Sequence, residues 1–365
     1  MLKSIELFSG CGGLALGLSR AGFRHELLVE YNECAVETVL HNKRRNVAHV
    51  MHWPICKDDV RVVDLDDFEG IDLLAGGPPC QPFSVGGKAA GPDDRRDMWP
   101  AVIRAVATTK PSAFLFENVR GLARPKFREY FEEIQLKLAK PAKRLGYGLA
   151  VQVVNAADFG AAQKRHRILI LGLRGSKAIS VPWLEPTHSR ERLVWDQWVT
   201  GEYWDEHNIA RSLDEFPKAD AAIVRRLRKN MEKPSLKRWV TVRDRLRGLG
   251  EPNERMNHCF QSGARVYPGH TGSPLDQPAK ALKAGDHGVP GGENMMVKDD
   301  GTVRYFTLRE SARLQGLPDD YTFSRSWTES MRQLGNAVPV ELATAAGKRV
   351  AELLSQDAKD FAIAA

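Results

Sequence analysis

Short apolar runs and amphipathic stretches alternate through the first half of the chain. Residues 4–8, 26–30, 71–75 and 113–116 are brief and rich in branched or aromatic side chains, which reads as buried strands. Between them, a helix opens at residues 14–18. Residues 32–42, 99–109 and 126–143 read as further helices, the last one basic and amphipathic. Residues 149–154 and 167–173 read as two strands forming a closing hairpin. This rhythm predicts a doubly wound α/β domain. It stops after Gly175, and to about Tyr305 tryptophans, prolines and charges are interspersed without any βαβ period. It then resumes. A helix is expected over 307–316, with Thr307 as N-cap, Glu310 completing a capping box, and Gly316 and Pro318 as the stop. A shorter helix ends near 333–339, and a last amphipathic one spans 340–354.

Composition changes little in this picture. The 365 residues are 42% hydrophobic and 27% charged, ordinary for a globular protein. No apolar run approaches the ~18 residues of a membrane span. The start runs directly into a strand pattern without a small-residue cleavage site, so no signal peptide is expected. Five cysteines, with no Cys-x-x-Cys pair and no zinc-finger spacing, suggest reduced thiols in a cytosol and no metal.

Candidate chemistry collects at the predicted strand ends, where open α/β sheets hold their ligands. After the first strand comes Ser9-Gly10-Cys11-Gly12-Gly13, either a tight turn or a loop that lets a cofactor approach the backbone. Glu30 ends the second strand; it is either a solvated acid or a carboxylate placed for ribose hydroxyls. Cys80 lies in residues 76–84, Gly-Gly-Pro-Pro-Cys-Gln-Pro-Phe-Ser. It is either a small buried hydrophobe or a nucleophile on a turn stiffened by prolines. The glycine-rich stretch after Ser84, to Arg96, is a solvated connector or a lid. Glu117 ends a four-residue apolar run, a costly place for an unpaired acid. Arg165 and Arg167 belong to a solvated turn or aim into the cleft.

The net charge is +7, and its distribution is uneven. Arg225, Arg226, Arg228, Lys229, Lys233, Lys237, Arg238, Arg243, Arg245 and Arg247 face only Glu232 and Asp244 within their own segment. A solvated helix face is the ordinary explanation of a charge run. An excess this lopsided points instead to phosphate contacts.

Taken together, these motifs resemble the DNA (cytosine-5) methyltransferases of bacterial restriction-modification type. Phe8 to Gly13 is similar to that family's cofactor motif, residues 76–84 to its nucleophile motif, and Glu117-Asn118-Val119 to its acid motif. Gln163-Lys164-Arg165-His166-Arg167 resembles its Gln-x-Arg-x-Arg. Residues 309–316 and Gly335-Asn336-Ala337-Val338-Pro339 resemble its last two motifs, in the family's order.

The resemblance implies a mostly parallel S-adenosylmethionine-dependent methyltransferase sheet with a closing antiparallel hairpin, plus a smaller irregular target-recognition domain. Residues 1–176 and 335–365 would form the catalytic, cofactor-binding domain, and 177–334 the target domain, including a hinge helix near 307–316. It further implies transfer of a methyl group from S-adenosylmethionine to carbon 5 of a cytosine flipped out of double-stranded DNA. Cys80 is the implied thiolate adding to carbon 6, Glu117 the acid at N3, and Arg165 or Arg167 the donor to O2. Phe8, Gly10, Gly12, Glu30, Asp59, Val60, Asn336 and Val338 are the implied cofactor residues. Ser84, Arg225, Arg226, Arg228, Lys229, Lys237 and Arg238 are the expected DNA contacts. The expected enzyme is a cytoplasmic monomer, associated with the nucleoid through DNA, with a cognate restriction endonuclease acting separately.

Three rival readings fit the motifs less well. A tRNA cytosine methyltransferase of the same fold carries Cys-Phe-Thr in its middle region, whereas Cys259-Phe260 is followed here by Gln261. An inactive DNA-binding homologue would not need Cys80, Glu117, both arginines and the glycine loop together. A nicotinamide oxidoreductase wants Gly-x-Gly-x-x-Gly, which the glycine loop does not match.

Overall fold

The computed structural model describes residues 1–79, 97–176, 179–268, 270–284 and 294–364. Cys80, Ser84 and the stretch expected as a lid lie outside the described residues.

Seven strands form the central sheet. Along the chain come β1 (Lys3–Leu7), α1 (Gly13–Arg20), β2 (Arg24–Glu30), α2 (Glu33–Arg44), β3 (Ile55–Lys57), β4 (Leu73–Gly76), α3 (Trp99–Thr109), β5 (Ala113–Val119), α4 (Arg128–Ala139), β6 (Tyr147–Asn155), a two-residue β7 (Gln163–Lys164) and β8 (His166–Arg174). The sheet order is β3-β2-β1-β4-β5-β8-β6. Pairs from β3 through β5 are parallel, and β8 runs antiparallel to both β5 and β6. The chain leaves β1 toward β2 on one side and takes up β4 on the other. The strands that follow β1 and β4 thus lie on opposite sides of them, which opens a crevice at the C-terminal strand ends.

Both sheet faces are covered, which is why the strands read as nearly continuous apolar runs. Phe114, Phe116, Ile168 and Ile170 pack with α3 and α4 on one face, and Leu115, Leu169 and Leu171 with α1 and the C-terminal helix on the other. Phe114 and Phe116 stack at 5.2 Å. A Cβ on Gly172 would meet the Phe114 ring at 2.2 Å, so β8 can pass that ring only as glycine. Helix α4 is shorter than the predicted 126–143. Pro125 opens a 3-10 turn ahead of it, and Pro141 biases Lys140 out of the α region at its end.

The remaining elements are β9 (His188–Ser189), α5 (Arg190–Trp198), α6 (Glu202–Glu206), α7 (Ala221–Asn230), β10 (Lys237–Arg238), α8 (Val242–Leu246), β11 (Ser273–Pro274), β12 (Ala279–Lys280), β13 (Met295–Val297), β14 (Val303–Tyr305), α9 (Leu308–Leu314), α10 (Trp327–Asn336) and α11 (Val340–Ala364). Trp195, Trp198, Tyr203, Trp204, Leu227 and Trp239 build a separate small core for α5–α7, which accounts for the tryptophan-rich composition there. Helix α9 starts with the expected capping box between Thr307 and Glu310. Its Leu308, Ala312 and Leu314 join a cluster containing Cys11, Leu16 and Trp53, so it packs on the first unit. Helix α11 runs ten residues beyond the expected 354. Its Ala343 lies so close to α1 that a Cβ on Gly17 would meet it at 2.2 Å. Among the described residues, no helix is long and apolar enough to cross a membrane.

Candidate active site

The glycine loop follows β1 directly. Gly10 and Gly12 take positive φ (55° and 81°), and so does Phe8 (58°), a rare conformation for a bulky side chain. Gly12 is the N-cap of α1, and no side chain caps that helix. Its first turn is instead held from the sheet. Glu6 of β1 is buried and accepts the Ala15 N–H. Burial, reinforced by the nearby Glu30 charge, raises the Glu6 pKa well above the usual carboxylate value, against the pull of that hydrogen bond. His25 of β2 sits beside the same turn, with Nε2 2.9 Å from the Ala15 carbonyl and Nδ1 3.0 Å from Ser4 Oγ. Burial depresses its pKa to about 4. Sequence reasoning missed both residues. The available signal was a charged residue between Ile5 and Leu7 inside an apolar strand.

Glu30 sits where the pattern put it, at the end of β2. One carboxylate oxygen accepts the Gly10 N–H at 2.8 Å and the other the Asn32 N–H at 2.6 Å. Two carboxylate oxygens offer about four lone-pair positions, so capacity remains for two further donors. Ser9 Oγ and both ends of the Gln333 amide are buried without a hydrogen-bond partner among the described residues. The far terminus does return to this loop. A Cβ on Gly13 would meet the Val338 carbonyl at 2.4 Å, and the Cys11 thiol points at the Gln333 carbonyl. Burial pushes that thiol up to about 12, which makes Cys11 a packing residue. Asn336 is exposed at the end of α10 and Val338 is buried. Asp59 is tied to Arg61 through its carboxylate (3.0 Å to Nε), which lowers its pKa. Val60 is buried in the core and its carbonyl accepts from Arg104.

Across the crevice, β5 ends in Glu117 and Asn118. The Asn118 amide donates to the Pro78 carbonyl at 3.2 Å, tying the turn that precedes Cys80 to the end of β5. Gly77 keeps space for Glu117: a Cβ there would lie 3.3 Å from Glu117 Oε2. The two arginines part company. Arg167 sets its Nε against Glu117 Oε1. Arg165 is buried and turns inward, donating to the Leu282 carbonyl at 3.0 Å and the Gly335 carbonyl at 2.7 Å. The structure thus brings Arg167 to Glu117 and makes Arg165 a strut between the middle region and the turn before Asn336.

The basic segment is less free than its composition suggests. Arg228 donates to the Trp198 and Leu213 carbonyls (2.9 and 2.7 Å) and to Asp214. Arg238 bonds Glu206 and Asp244 and lies over the Tyr203 ring. Arg243 pairs with Asp276 and Asp299, Arg245 with Glu341, and Arg247 with Glu206. Most of these acids come from outside the segment, so a local charge count could not see them. Arg225, Arg226 and Lys229 remain on the exposed side of α7, Arg226 beside Glu191. Lys237 is exposed on β10.

Residues 2–352 match the family described as C-5 cytosine-specific DNA methylase. The chain is 33% identical to the Type II methyltransferase M.NgoMIV of Neisseria gonorrhoeae, over 97% of this chain and 98% of that protein. It is 31% identical to the Type II methyltransferase M.FnuDI of Fusobacterium nucleatum, over 98% and 96%. Its fold is that of the Schizosaccharomyces pombe Dnmt2 methyltransferase (TM-score 0.60, 20% identity, 97% of this chain and 99% of that one). The chain belongs to the C-5 cytosine-specific DNA methylases and is a DNA (cytosine-5) methyltransferase of restriction-modification type.

Proposed function

We propose that the chain methylates carbon 5 of one cytosine within a specific double-stranded DNA sequence, the base being flipped out of the helix and held covalently through carbon 6 by Cys80. The observation that carries this reading is the meeting of Glu117 and Arg167 at the strand-end crevice, with the Gly-Gly-Pro-Pro turn tied to the same strand through Asn118. Immediately after that turn, the sequence places Cys80. Carbon 5 of cytosine is a poor nucleophile. Addition of the Cys80 thiolate at carbon 6 turns the ring into an enamine that can attack an electrophilic methyl. Glu117 holds a proton at N3, and Arg167, rather than Arg165, reaches O2; fixed donors at developing charge are usually the largest catalytic contribution. Loss of the carbon-5 proton to a base then expels the Cys80 thiolate.

S-adenosylmethionine, when bound, supplies the sulfonium methyl. The residues around the glycine loop fit it: Glu30 keeps capacity for two hydroxyl donors, the Ser9 hydroxyl and Gln333 amide have no hydrogen-bond partner among the described residues, and α1 begins without a side-chain cap. Phe8, Gly10, Gly12, Asn336 and Val338 lie on the same loop or on the segment that returns to it. Asp59 and Val60, on the loop after β3, complete the proposed set.

The catalytic unit is assigned to residues 1–176 and 335–365, and target recognition to 177–334, within which α9 is the joint to the first unit. Arg225, Arg226, Lys229 and Lys237 are the members of the basic segment left to meet phosphate. A monomer acting in the cytoplasm, apart from any cognate endonuclease, completes the reading. Bisulfite sequencing of plasmid DNA from a host expressing the chain tests it. One recurrent sequence should resist conversion, and should cease to do so with Cys80→Ala. Full conversion throughout with the folded wild-type chain overturns the reading.

A further inference from the structure

The short ribbon formed by β7 and β12 lies outside the basic segment singled out above. Lys164 and Lys280 are direct partners in its parallel ladder. Residues paired this way project from the same face, where like charges repel. The neighbours of Lys164 in sequence face the interior: Gln163 bonds the Leu314 carbonyl and the Gln315 side chain, and Arg165 is the strut described above. Alternation along the strand therefore turns Lys164 outward, and it is exposed.

Among the described residues, no carboxylate lies within ion-pairing distance of Lys164 or Lys280, the latter donating only to the Thr271 hydroxyl at 3.0 Å. Asp220, whose charge acts on Lys164, is already bonded by Arg190 through Nε at 3.1 Å and Nη2 at 2.5 Å. Partial desolvation and the Arg190 charge, then Lys280, hold the Lys164 pKa below the usual lysine value despite Asp220. The positive field continues onto the next ribbon. Lys237 of β10 is in register with His188 of β9, whose ring packs on Gly160 of the turn leading into β7. The patch also begins three residues from Arg167, the arginine at Glu117.

We propose that Lys164 and Lys280 form a phosphate-binding pair that grips the DNA backbone beside the extruded cytosine, a contact additional to those of α7. This deepens the reading of the chain as a double-stranded DNA methyltransferase and rests on it. An anionic phosphate would relieve the repulsion between the two ammonium groups, and a grip so close to Arg167 would fix the strand from which the base is drawn.

The test is the salt dependence of binding to a fluorescein-labelled non-specific duplex, read by anisotropy with the full chain between about 50 and 200 mM salt. Each phosphate contact contributes roughly 0.9 to the slope of log K against log salt. The double variant Lys164→Gln/Lys280→Gln should lose about two units of slope. The charge-preserving Lys164→Arg/Lys280→Arg should keep the wild-type slope. Melting curves of both variants monitor folding, and relief of a like-charge pair should not lower the melting temperature of the glutamine variant. An unchanged slope in the folded glutamine variant overturns the proposal. A wild-type chain with no salt-dependent affinity for the duplex would instead sink the DNA reading on which it rests.

Discussion

Arg167 reaches back along the β5–β8 ladder to Glu117: its backbone partner on β5 is Val119, and its Nε lies against Glu117 Oε1. Two residues of offset along paired strands thus place an acid and a cation at one point of the crevice. Positioned proton donors contribute typically 10²–10⁴ in rate. Glu117→Gln should therefore lower kcat for methyl transfer by at least about a hundredfold, with folding stability little changed. Steady-state transfer of labelled methyl groups into DNA measures this, and a kcat within threefold of wild type counts against Glu117 as the acid.

The two arginines should separate cleanly. Arg165 fills two buried carbonyls, so Arg165→Ala leaves the Leu282 and Gly335 oxygens without their donor and should cost about 3 kcal/mol of stability. Arg167→Gln keeps a hydrogen-bond donor beside the buried Glu117 and should spare stability while reducing turnover. Urea denaturation alongside turnover checks both. If Arg165→Ala melts like wild type, its role as a strut is wrong.

These two residues also show where the sequence was silent. The sheet was legible because each strand and helix is specified by local pattern: Ala113 to Phe116 could hardly be anything but a buried strand. Which of two arginines two positions apart faces a cleft depends on how β7 breaks from β8 and on what stands opposite, here Leu282 and Gly335, more than a hundred residues away. The internal pairing of the basic segment was hidden for the same reason. Asp276, Asp299 and Glu341 are distant in sequence yet hold Arg243 and Arg245. Glu6 left one trace, an acid inside an apolar strand, but burial inverts what its identity and that of His25 suggest. Cys80 was reachable only from sequence, since it lies outside the described residues.

Gly77 should be sensitive to a single methyl group. A Cβ there approaches Glu117 Oε2 to 3.3 Å, tight enough that the carboxylate must shift by a few tenths of an ångström. Catalytic geometry tolerates such shifts poorly. Gly77→Ala should reduce kcat by about tenfold with a change in stability below roughly 1 kcal/mol. Full activity in that variant would show that Glu117 has room to move.

The start of α1 should carry two opposing pH dependences. His25 has a folded pKa of about 4 against an ordinary 6.5. Its contribution is complete above 6.5 and is lost as pH falls toward 4, up to roughly 3 kcal/mol. Glu6 has a folded pKa raised above 4.5, so its contribution is complete below 4.5 and is lost as pH rises through the folded value. His25→Gln should flatten the acid limb of the stability curve. Glu6→Gln, which keeps an acceptor for the Ala15 N–H, should gain on wild type as pH rises above 4.5. Chemical denaturation across this pH range reads both, and parallel curves for wild type and variants would refute the assignments.

Arg228 and Lys229 are adjacent in α7 but should behave oppositely. Arg228 is bound to two carbonyls and Asp214 and lies over the Phe216 ring at 5.5 Å, so its charge is spent inside the fold. Arg228→Gln should cost about 1–3 kcal/mol of stability and leave the salt slope of duplex binding unchanged. Lys229 is exposed with no carboxylate in ion-pairing distance among the described residues. Lys229→Gln should leave stability unchanged and reduce the slope by about one unit. If the Arg228 variant loses slope instead, its internal contacts are given up when DNA arrives, and the segment works as the raw charge count suggested.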